Sequence, residues 1–313
     1  MDNRKTLLTY HDLTVEVEYT PGQELKDHLA GTTLGTPGGF RYRHEGLDDR
    51  LESAEEQYFL YLRKSGNMLG SVGFVWRNLT SAGLTHDCWL IRYFSIKAPM
   101  RSAPYGMQGK RLQEEGKSDS VLGRFMKPVM DEPSRLRQQP QEQEAAIIYA
   151  LIESKNLRSL NFSRQMGLAP VADIANFTFS RMKPRLSARV GQIVPEEIPE
   201  MQSRLREFYA DYALYYPDPL FKDQDYYVIR DDRGIVAGAQ IYRVTWKIVD
   251  FGSPLANRGL RLLARLGFVR KRLNPDALRF WFMTDSISQR AVKTNCMNCW
   301  RGSWRWKNHT WAC

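Results

Sequence analysis

The chain has 313 residues, of which 42% are hydrophobic and 26% charged, the composition of an ordinary globular protein. This excludes a disordered or fibrous protein, and the length suits two domains, each with its own core. No apolar run near the N-terminus is long enough for a signal peptide or a membrane span, so we expect a cytoplasmic protein. Cys88 stands apart from the other three cysteines, which excludes a disulfide framework in the main body.

The net charge of +10 suits an anionic partner: a nucleotide cofactor, a nucleic acid or an acidic membrane surface. Charge alone does not choose among these three partners. A soluble protein with a basic surface has the same composition.

The first third of the chain is rich in strand patterns. Residues Leu13–Tyr19 alternate with a period of two, and the charged segment Glu45–Gln57, after a Gly- and Thr-rich stretch, predicts a short helix. Three β-branched or aromatic runs separated by turn residues then predict an antiparallel meander: Tyr58–Lys64, Met68–Trp76 and Trp89–Lys97.

Helices and strands alternate further along. The segment Ser120–Met130 has a helical pattern, and the unbroken apolar run Ala145–Glu153 predicts a strand buried on both faces. A helix is predicted over Asn156–Met166, ending at Gly167, and a strand over Val171–Arg181. The sequence therefore predicts an α/β (α+β) fold, with a mixed, mostly antiparallel sheet flanked by helices.

The second half begins with the clearest helical pattern, over Pro195–Tyr216. Its aromatic stripe at three- and four-residue spacing predicts a core-facing side. A hairpin follows, with strands Tyr226–Arg230 and Ile235–Val249 around a turn that contains Gly234.

This hairpin resembles the earlier one that begins at Tyr58. Both have an apolar strand, an arginine, a polar turn with glycine, two apolar residues and a glycine. Any hairpin can share such features, but the likeness predicts two copies of one domain, the second lacking its distal half. We therefore expect a first domain at 1–185, a partial second copy at 195–283 and an irregular tail at 284–313.

Residues 58–181 resemble the GNAT superfamily of acyl-CoA N-acyltransferases. The most specific part is the segment from Asn156 to Leu168, which is similar to the family motif Asn-x-x-Ala-x-x-Leu-Tyr-x-Lys-x-Gly-Phe at the end of a buried strand. The resemblance implies a GNAT-like fold with acetyl-CoA or another acyl-CoA as co-substrate, and no metal. Asn156 and Ser159 would contact the cofactor arm, although an Asn at this place is also a good helix N-cap.

Two departures from the family pattern concern its chemistry. The tyrosine that reprotonates the CoA thiolate is replaced by Ser163, a weaker acid. The pyrophosphate loop should follow the third strand directly, but the glycines and basic residues are spaced differently. The residues expected to bind the cofactor there are Ile96, Lys97, Arg101, Gly106 and Gly109.

Direct transfer needs a neutral amine, so a carboxylate or a water relay often takes a proton while a backbone N–H stabilises the oxyanion. The candidate bases are Glu56, beside the first strand of the meander, and His86 or Asp87, before the third. Each is also an ordinary charge or polar group of a solvated loop.

A basic stretch lies between Phe251 and Pro275, with six arginines and lysines and no acidic residue. A basic amphipathic helix can bind a membrane surface, nucleic acid or an acidic partner. The favoured interpretation is a surface helix whose leucines, among them Leu260 and Leu262, pack on the second domain.

The tail has an unusual composition. Ligand types for zinc occur in a plausible order at Cys296, Cys299, His309 and Cys313, among four tryptophans. The composition changes abruptly near Thr284, where the second copy should continue, which favours a displaced reading frame or a non-native terminus. An incidental tail and a zinc site are the alternatives.

Three functions compete. The first is transfer of an acyl group, preferably acetyl, to a small-molecule or protein amine. The second is a non-catalytic GNAT-like binding module, favoured by Ser163 and the irregular loop. The third is a basic protein associated with nucleic acid, which the rest of the sequence makes the weakest. A homodimer stays open, and the acceptor is not predictable because variable loops build acceptor pockets.

Overall fold

The computed structural model describes residues 3–52, 56–81, 84–97, 121–138, 146–174, 176, 187–212, 215–217, 220–221, 225–263, 265–267 and 274–288. These residues form two compact units. The first contains 1–78, 86–169 and 245–278, and the second contains 79–85, 170–244 and 279–313. The segment 245–278, which the sequence assigns to the second copy, therefore packs within the first unit.

The first unit is built on a six-stranded sheet with the order β1-β2-β4-β5-β6-β7. Its strands are β1 Arg4–Tyr10, β2 Leu13–Glu18, β4 Gln57–Lys64, β5 Asn67–Ser81, β6 Leu84–Ile96 and β7 Ala146–Ala150. The pairs β1–β2, β2–β4 and β4–β5 are antiparallel, whereas β6–β7 is parallel. The predicted mixed, mostly antiparallel α/β fold and its central meander are confirmed.

Helices cover both faces of this sheet. They are α1 Gln23–Gly31, α2 Leu47–Leu51, α3 Val121–Asp131 and α4 Leu157–Gln165. Along β4, Tyr58, Leu60 and Leu62 pack in the cluster that includes α3 and α4, while Phe59 and Tyr61 pack with α1 and α2. Because successive side chains of a strand point to opposite faces, β4 is apolar from Tyr58 to Leu62, and its first seven residues are buried.

Several predicted boundaries in this unit are corrected. The helix expected over Glu45–Gln57 is only α2, and β1, α1 and β3 (Phe40–Glu45) were not predicted. The strand expected to be buried on both faces is β7, which lies at the edge of the sheet formed by the described strands, with Ile147 40% exposed. Residues 171–174 of the predicted strand Val171–Arg181 are irregular, and nearly all the rest lies outside the described residues.

The second unit also contains a short strand that pairs with a hairpin. Strand β8 (Val190–Gln192) pairs with β9 (Tyr226–Asp231), which forms a hairpin with β10 (Gly234–Phe251), and β11 (Leu278–Ser288) neighbours β10. The end of β10, within the first unit, pairs with β3. The predicted hairpin is confirmed.

The long helix predicted over Pro195–Tyr216 is shorter than expected. A 3-10 turn at Pro195–Glu197 leads into α5, Ile198–Phe208. Met201 and Leu205 of α5 are buried in the core of the second unit, but Phe208 is 48% exposed. The aromatic stripe is therefore only partly core.

The two hairpins share an irregular pairing at the same place. In the first, Arg63 pairs with Met68 and Leu62 with Gly70, so Leu69 is the extra residue of a β-bulge. In the second, Arg230 pairs with Ile235 and Ile229 with Ala237, and the extra residue is Val236.

The arginine beside each bulge also binds equivalent partners. Arg63 forms ion pairs with Glu24 in the first turn of α1 and with Glu16 of β2. Arg230 forms an ion pair with Glu197, immediately before α5. A strand, a helix tied to the hairpin by Arg and Glu, and a bulged hairpin thus occur in both units, which supports the internal repeat beyond the sequence likeness.

Gly70 of β5 has no room for a side chain. A Cβ atom there would lie 2.7 Å from the carbonyl oxygen of Ser95 in β6, a backbone atom that can move only with its strand. We expect Gly70→Ala to lower the free energy of unfolding by about 1–3 kcal/mol, the usual cost of overpacking. Urea denaturation measures this. Gly259→Ala is the control, because its Cβ would meet nothing within 4 Å, and an equal loss in both variants would contradict the assignment.

Candidate functional site

The parallel pair β6–β7 separates before β6 ends. Asp87 of β6 pairs with Ala146 of β7, and the pairing continues to Ile91 and Ala150. There β7 stops, whereas β6 continues to Ile96. Beyond Ile91 the two strands part and leave an opening in the sheet. Such an opening is suited to an extended ligand that adds to a strand through main-chain hydrogen bonds.

A bulge in β6 lies at this opening. Tyr93 has a φ of +53°, which is unusual for a residue other than glycine and costs conformational energy. Trp89, Ile91 and Phe94 pack in one core cluster, whereas Tyr93 packs with the cluster of α1 and α2 on the other face. The alternation of faces therefore shifts by one residue between Ile91 and Tyr93, as at a β-bulge.

Helix α4 lies beside the opening. Its N-cap is Asn156, six residues after the end of β7, whose side-chain oxygen accepts a hydrogen bond of 3.1 Å from the backbone N–H of Ser159. The helix packs on β6 through Phe162, whose ring stacks on Phe94 with 5.3 Å between centroids. Gly167, with a φ of +86°, follows the helix end as predicted.

The structure thus places Asn156 and Ser159 together at the start of α4, and Ile96 and Lys97 at the end of β6. Ser163 lies on α4, where its hydroxyl donates to the carbonyl of Leu160 at 2.9 Å. This bond uses the only proton that Ser163 could give to a thiolate.

The predicted base Glu56 lies near the other end of β6. Its carbonyl accepts from the backbone N–H of Trp76, and the Trp76 indole N–H donates to Asp87 near the start of β6. The Glu56 carboxylate accepts from the Tyr58 hydroxyl and lies 3.7 Å from Arg137 Nε. Four residues of strand, or roughly 13 Å, separate Asp87 from Ile91. The structure therefore does not bring Glu56, Asp87 or the adjacent His86 to the opening.

Other predicted residues lie outside the described part of the chain. These are Arg101, Gly106 and Gly109 of the phosphate loop, and Cys296, Cys299, His309 and Cys313 of the tail. Within the described ranges, no three His, Cys, Asp or Glu side chains form a group that could hold a metal ion. None of the described helices is long and apolar enough to cross a membrane.

A cleft of about 580 Å³ lies on the α1 side of the sheet, against the end of β6. Its lining comes from α1 and the residues after it, from β3 and from β6: Glu24, Asp27, His28, Gly31, Thr32, Thr33, Arg41, Ser95, Ile96 and Lys97. Because Ile96 and Lys97 line it, the cleft and the opening share the last residues of β6. Sequence reasoning identified these two but missed the α1 side.

A chain of hydroxyl groups fixes α1 to β6 in the cleft. The Thr32 hydroxyl lies 2.8 Å from the His28 carbonyl, to which it donates, and 3.0 Å from the Ser95 hydroxyl. Since a hydroxyl has one proton, Ser95 must be the donor to Thr32. The end of α1 and the end of β6 are therefore held together.

His28 is the half-buried titratable group of this cleft. Burial, and then the positive charge of Lys97, lower the pKa of His28 below its ordinary value, despite a hydrogen bond with the backbone of Ser95. Nε2 is buried with no hydrogen-bond partner among the described residues. The lowered pKa favours the neutral imidazole, which has one unprotonated nitrogen that can accept a proton.

Two acidic side chains accompany His28. The pKa of Glu24 is lowered, mainly by its hydrogen bond from Arg63, so Glu24 is negatively charged at neutral pH. Asp27 accepts a hydrogen bond of 2.7 Å from Gln23 on the same helix. The lining also contains the cations Arg41 and Lys97, so Glu24 and Asp27 supply local negative charge rather than a negative cleft. Acidic groups beside a neutral imidazole can bind a cationic amine that must lose a proton before it reacts.

No protein-family model matches the chain, and no curated protein matches it in sequence. Similar solved structures include an N-myristoyltransferase of Saccharomyces cerevisiae, with a TM-score of 0.43 and 11% identity over 88% of this chain and 76% of that chain. A probable N-acyltransferase of Enterococcus faecalis V583 has a TM-score of 0.40 and 12% identity over 87% and 66%. An aminoglycoside acetyltransferase from an uncultured soil sample has a TM-score of 0.30 and 10% identity over 54% and 97%.

Proposed function

We propose that the chain is an N-acyltransferase that moves an acyl group from acyl-CoA to an amine. The observation that carries the proposal is the separation of β6 and β7 after Ile91–Ala150, beside the Asn156-capped helix α4. The pantetheine arm of CoA has two amides and is extended, so it fits an opening where a strand edge lacks its neighbour. Asn156 and Ser159, at the start of α4, would contact this arm.

The cleft on the α1 side is the proposed acceptor site, because it meets the opening at the end of β6. Glu24 and Asp27 would bind the cationic form of the amine, and the His28 imidazole would take its proton, which leaves a neutral nucleophile. Acyl-CoA supplies the activated thioester. Backbone N–H groups near Tyr93 would stabilise the oxyanion that forms when the amine attacks, and the CoA thiolate would then leave.

Calorimetric titration with acyl-CoAs of increasing chain length, from acetyl to myristoyl, tests the first half of this proposal. We expect at least one to bind, and free CoA to bind as well through its pantetheine arm. Release of free CoA thiol in the presence of small amines and peptides then tests transfer. Binding without turnover on any amine would identify a non-catalytic binding module. The supporting observation for such a module is that the Ser163 hydroxyl already donates its proton to the Leu160 carbonyl. Absence of binding would overturn the proposal.

Asn156 has two separable roles, and two variants distinguish them. Asn156→Ala removes the N-cap and should lower the free energy of unfolding by about 1 kcal/mol. It should also weaken acyl-CoA binding. Asn156→Asp caps a helix as well as Asn does, so it should restore stability while lacking the amide N–H groups.

If the Asn156 amide contacts the pantetheine arm, affinity stays low in the Asp variant, as calorimetric titration would show. Full recovery of affinity in Asn156→Asp would instead limit Asn156 to capping.

A further inference from the structure

The basic stretch forms a helix whose leucines face outward. This is α6, Pro254–Leu263. Leu255 is 81% exposed and Leu262 is 60% exposed, and Leu266 just beyond the helix is 47% exposed. The expectation that the leucines of this stretch are packed is therefore wrong for Leu262 and Leu266, whereas Leu260 is half-buried.

The orientation of α6 is fixed from its inner side. The Asn257 side chain accepts a hydrogen bond of 2.9 Å from the backbone N–H of Phe251 and donates one of 2.9 Å to Asp250. Ala256 and Asn257 are both half-buried. Leu255 and Leu262 are two turns apart on the opposite side and therefore form one apolar stripe. The exposed stripe is thus a consequence of how the helix is anchored.

Positive charge flanks this stripe. Arg258 and Arg265 are exposed, and Arg258 lies one turn from Leu255 on the outer side. From Phe251 to Pro275 the sequence contains six basic residues and no acidic one. Exposed leucines with arginines beside them are the pattern of helices that lie in the plane of a membrane interface.

We propose that α6, with Leu266, docks on a membrane surface rich in anionic lipid. The leucines would enter the boundary between headgroups and acyl chains, and Arg258 and Arg265 would bind lipid phosphates, with their aliphatic stems along the apolar boundary. Nucleic acid would satisfy the arginines but leave the leucines in water. A two-fold contact with a second copy would bury the leucines but bring like charges of the same arginines together.

Co-sedimentation with vesicles tests the proposal on the full chain. We expect binding to vesicles of phosphatidylcholine with 30% phosphatidylserine, weaker binding to phosphatidylcholine alone, and weaker binding in 0.5 M salt. The double substitution Leu255→Ser with Leu262→Ser should lower the partition constant at least about tenfold. Arg258→Gln should lower it about fivefold on anionic vesicles only.

Val171→Ser is the matched control, because Val171 is 90% exposed and lies outside α6, so it should leave vesicle binding unchanged. Since all the substituted side chains are exposed, circular dichroism should show the same fold in each variant. Absence of binding to anionic vesicles, or equal binding by the double leucine variant, would overturn the proposal. So would tight binding of an oligonucleotide that survives the leucine substitutions, or a dimer that they dissociate.

Discussion

Replacing His28 with Gln should slow acyl transfer by about 10²–10⁴-fold, the usual contribution of a positioned general base. Acyl-CoA affinity should change little, because His28 lines the acceptor cleft on the α1 side. Single-turnover measurement of thiol release, with binding measured separately by calorimetry, distinguishes these two effects. His86→Gln is the matched control, because His86 precedes the paired part of β6 and lies away from the cleft.

The pH dependence of the same reaction gives an independent check. Since burial and Lys97 lower the pKa of His28, its imidazole stays neutral below the ordinary histidine value of 6.5. The rate should therefore fall only when the pH drops below that value, and this acidic limb should be missing in His28→Gln. A rate within about threefold of the wild type, or an unchanged limb in the variant, would exclude His28 as the base.

Arg63→Met should lower the free energy of unfolding by about 3 kcal/mol, because it leaves carboxylates without the cation that compensates them. The Arg63 side chain is only 8% exposed, and its Nε lies 2.9 Å from Glu16. The guanidinium also binds Glu24 and donates to the Gly66 carbonyl at 3.0 Å. Arg4 lies 3.6 Å from Glu16 and compensates part of the loss.

Urea denaturation measures the effect of Arg63→Met. Lys64→Met is the control on the same strand, since the Lys64 side chain is 58% exposed and its pair with Asp12 spans 3.9 Å. An exposed pair of this kind contributes at most about 1 kcal/mol. Similar losses in both variants would contradict the importance of the buried arginine.

Stability should also respond to acid through Glu24. Its pKa in the folded protein is lowered, chiefly by the hydrogen bond from Arg63, from an ordinary value of 4.5. The stabilisation is therefore complete above pH 4.5 and is lost as the pH falls through the lowered pKa. Arg63→Met should flatten the dependence of stability on pH in this acidic range.

The elements that the sequence predicted well have strong local patterns. The meander of β4, β5 and β6 combines β-branched or aromatic runs with turn residues, and α4 has a capping Asn156 and a terminal Gly167. Helix α1 has a local pattern too, with Leu25 and Leu29 buried one turn apart, but it is short.

What sequence reasoning missed depends on contacts between distant segments. No local pattern indicates that His28 lies against Ser95, or that β3 pairs with the end of β10. The φ of Tyr93 is similarly set by the surrounding sheet, since tyrosine has no preference for that conformation. The outward leucines of α6 have the same periodicity as leucines that pack inward, so only the anchoring by Asn257 determines their direction.

The position of β7 has a consequence for local unfolding. In the described sheet β7 is an edge strand of five residues, paired on one side only and joined to α4 by a short connection. Parallel pairing between segments distant in sequence costs loop entropy, and edge elements open at a lower free energy than the core around β4. The proposed cofactor opening thus lies where amide hydrogens should exchange faster than in the core around β4. A ligand that binds both β6 and β7 would stabilise this region against local unfolding. Amide exchange in β7 should therefore slow as the fraction of ligand-bound protein rises.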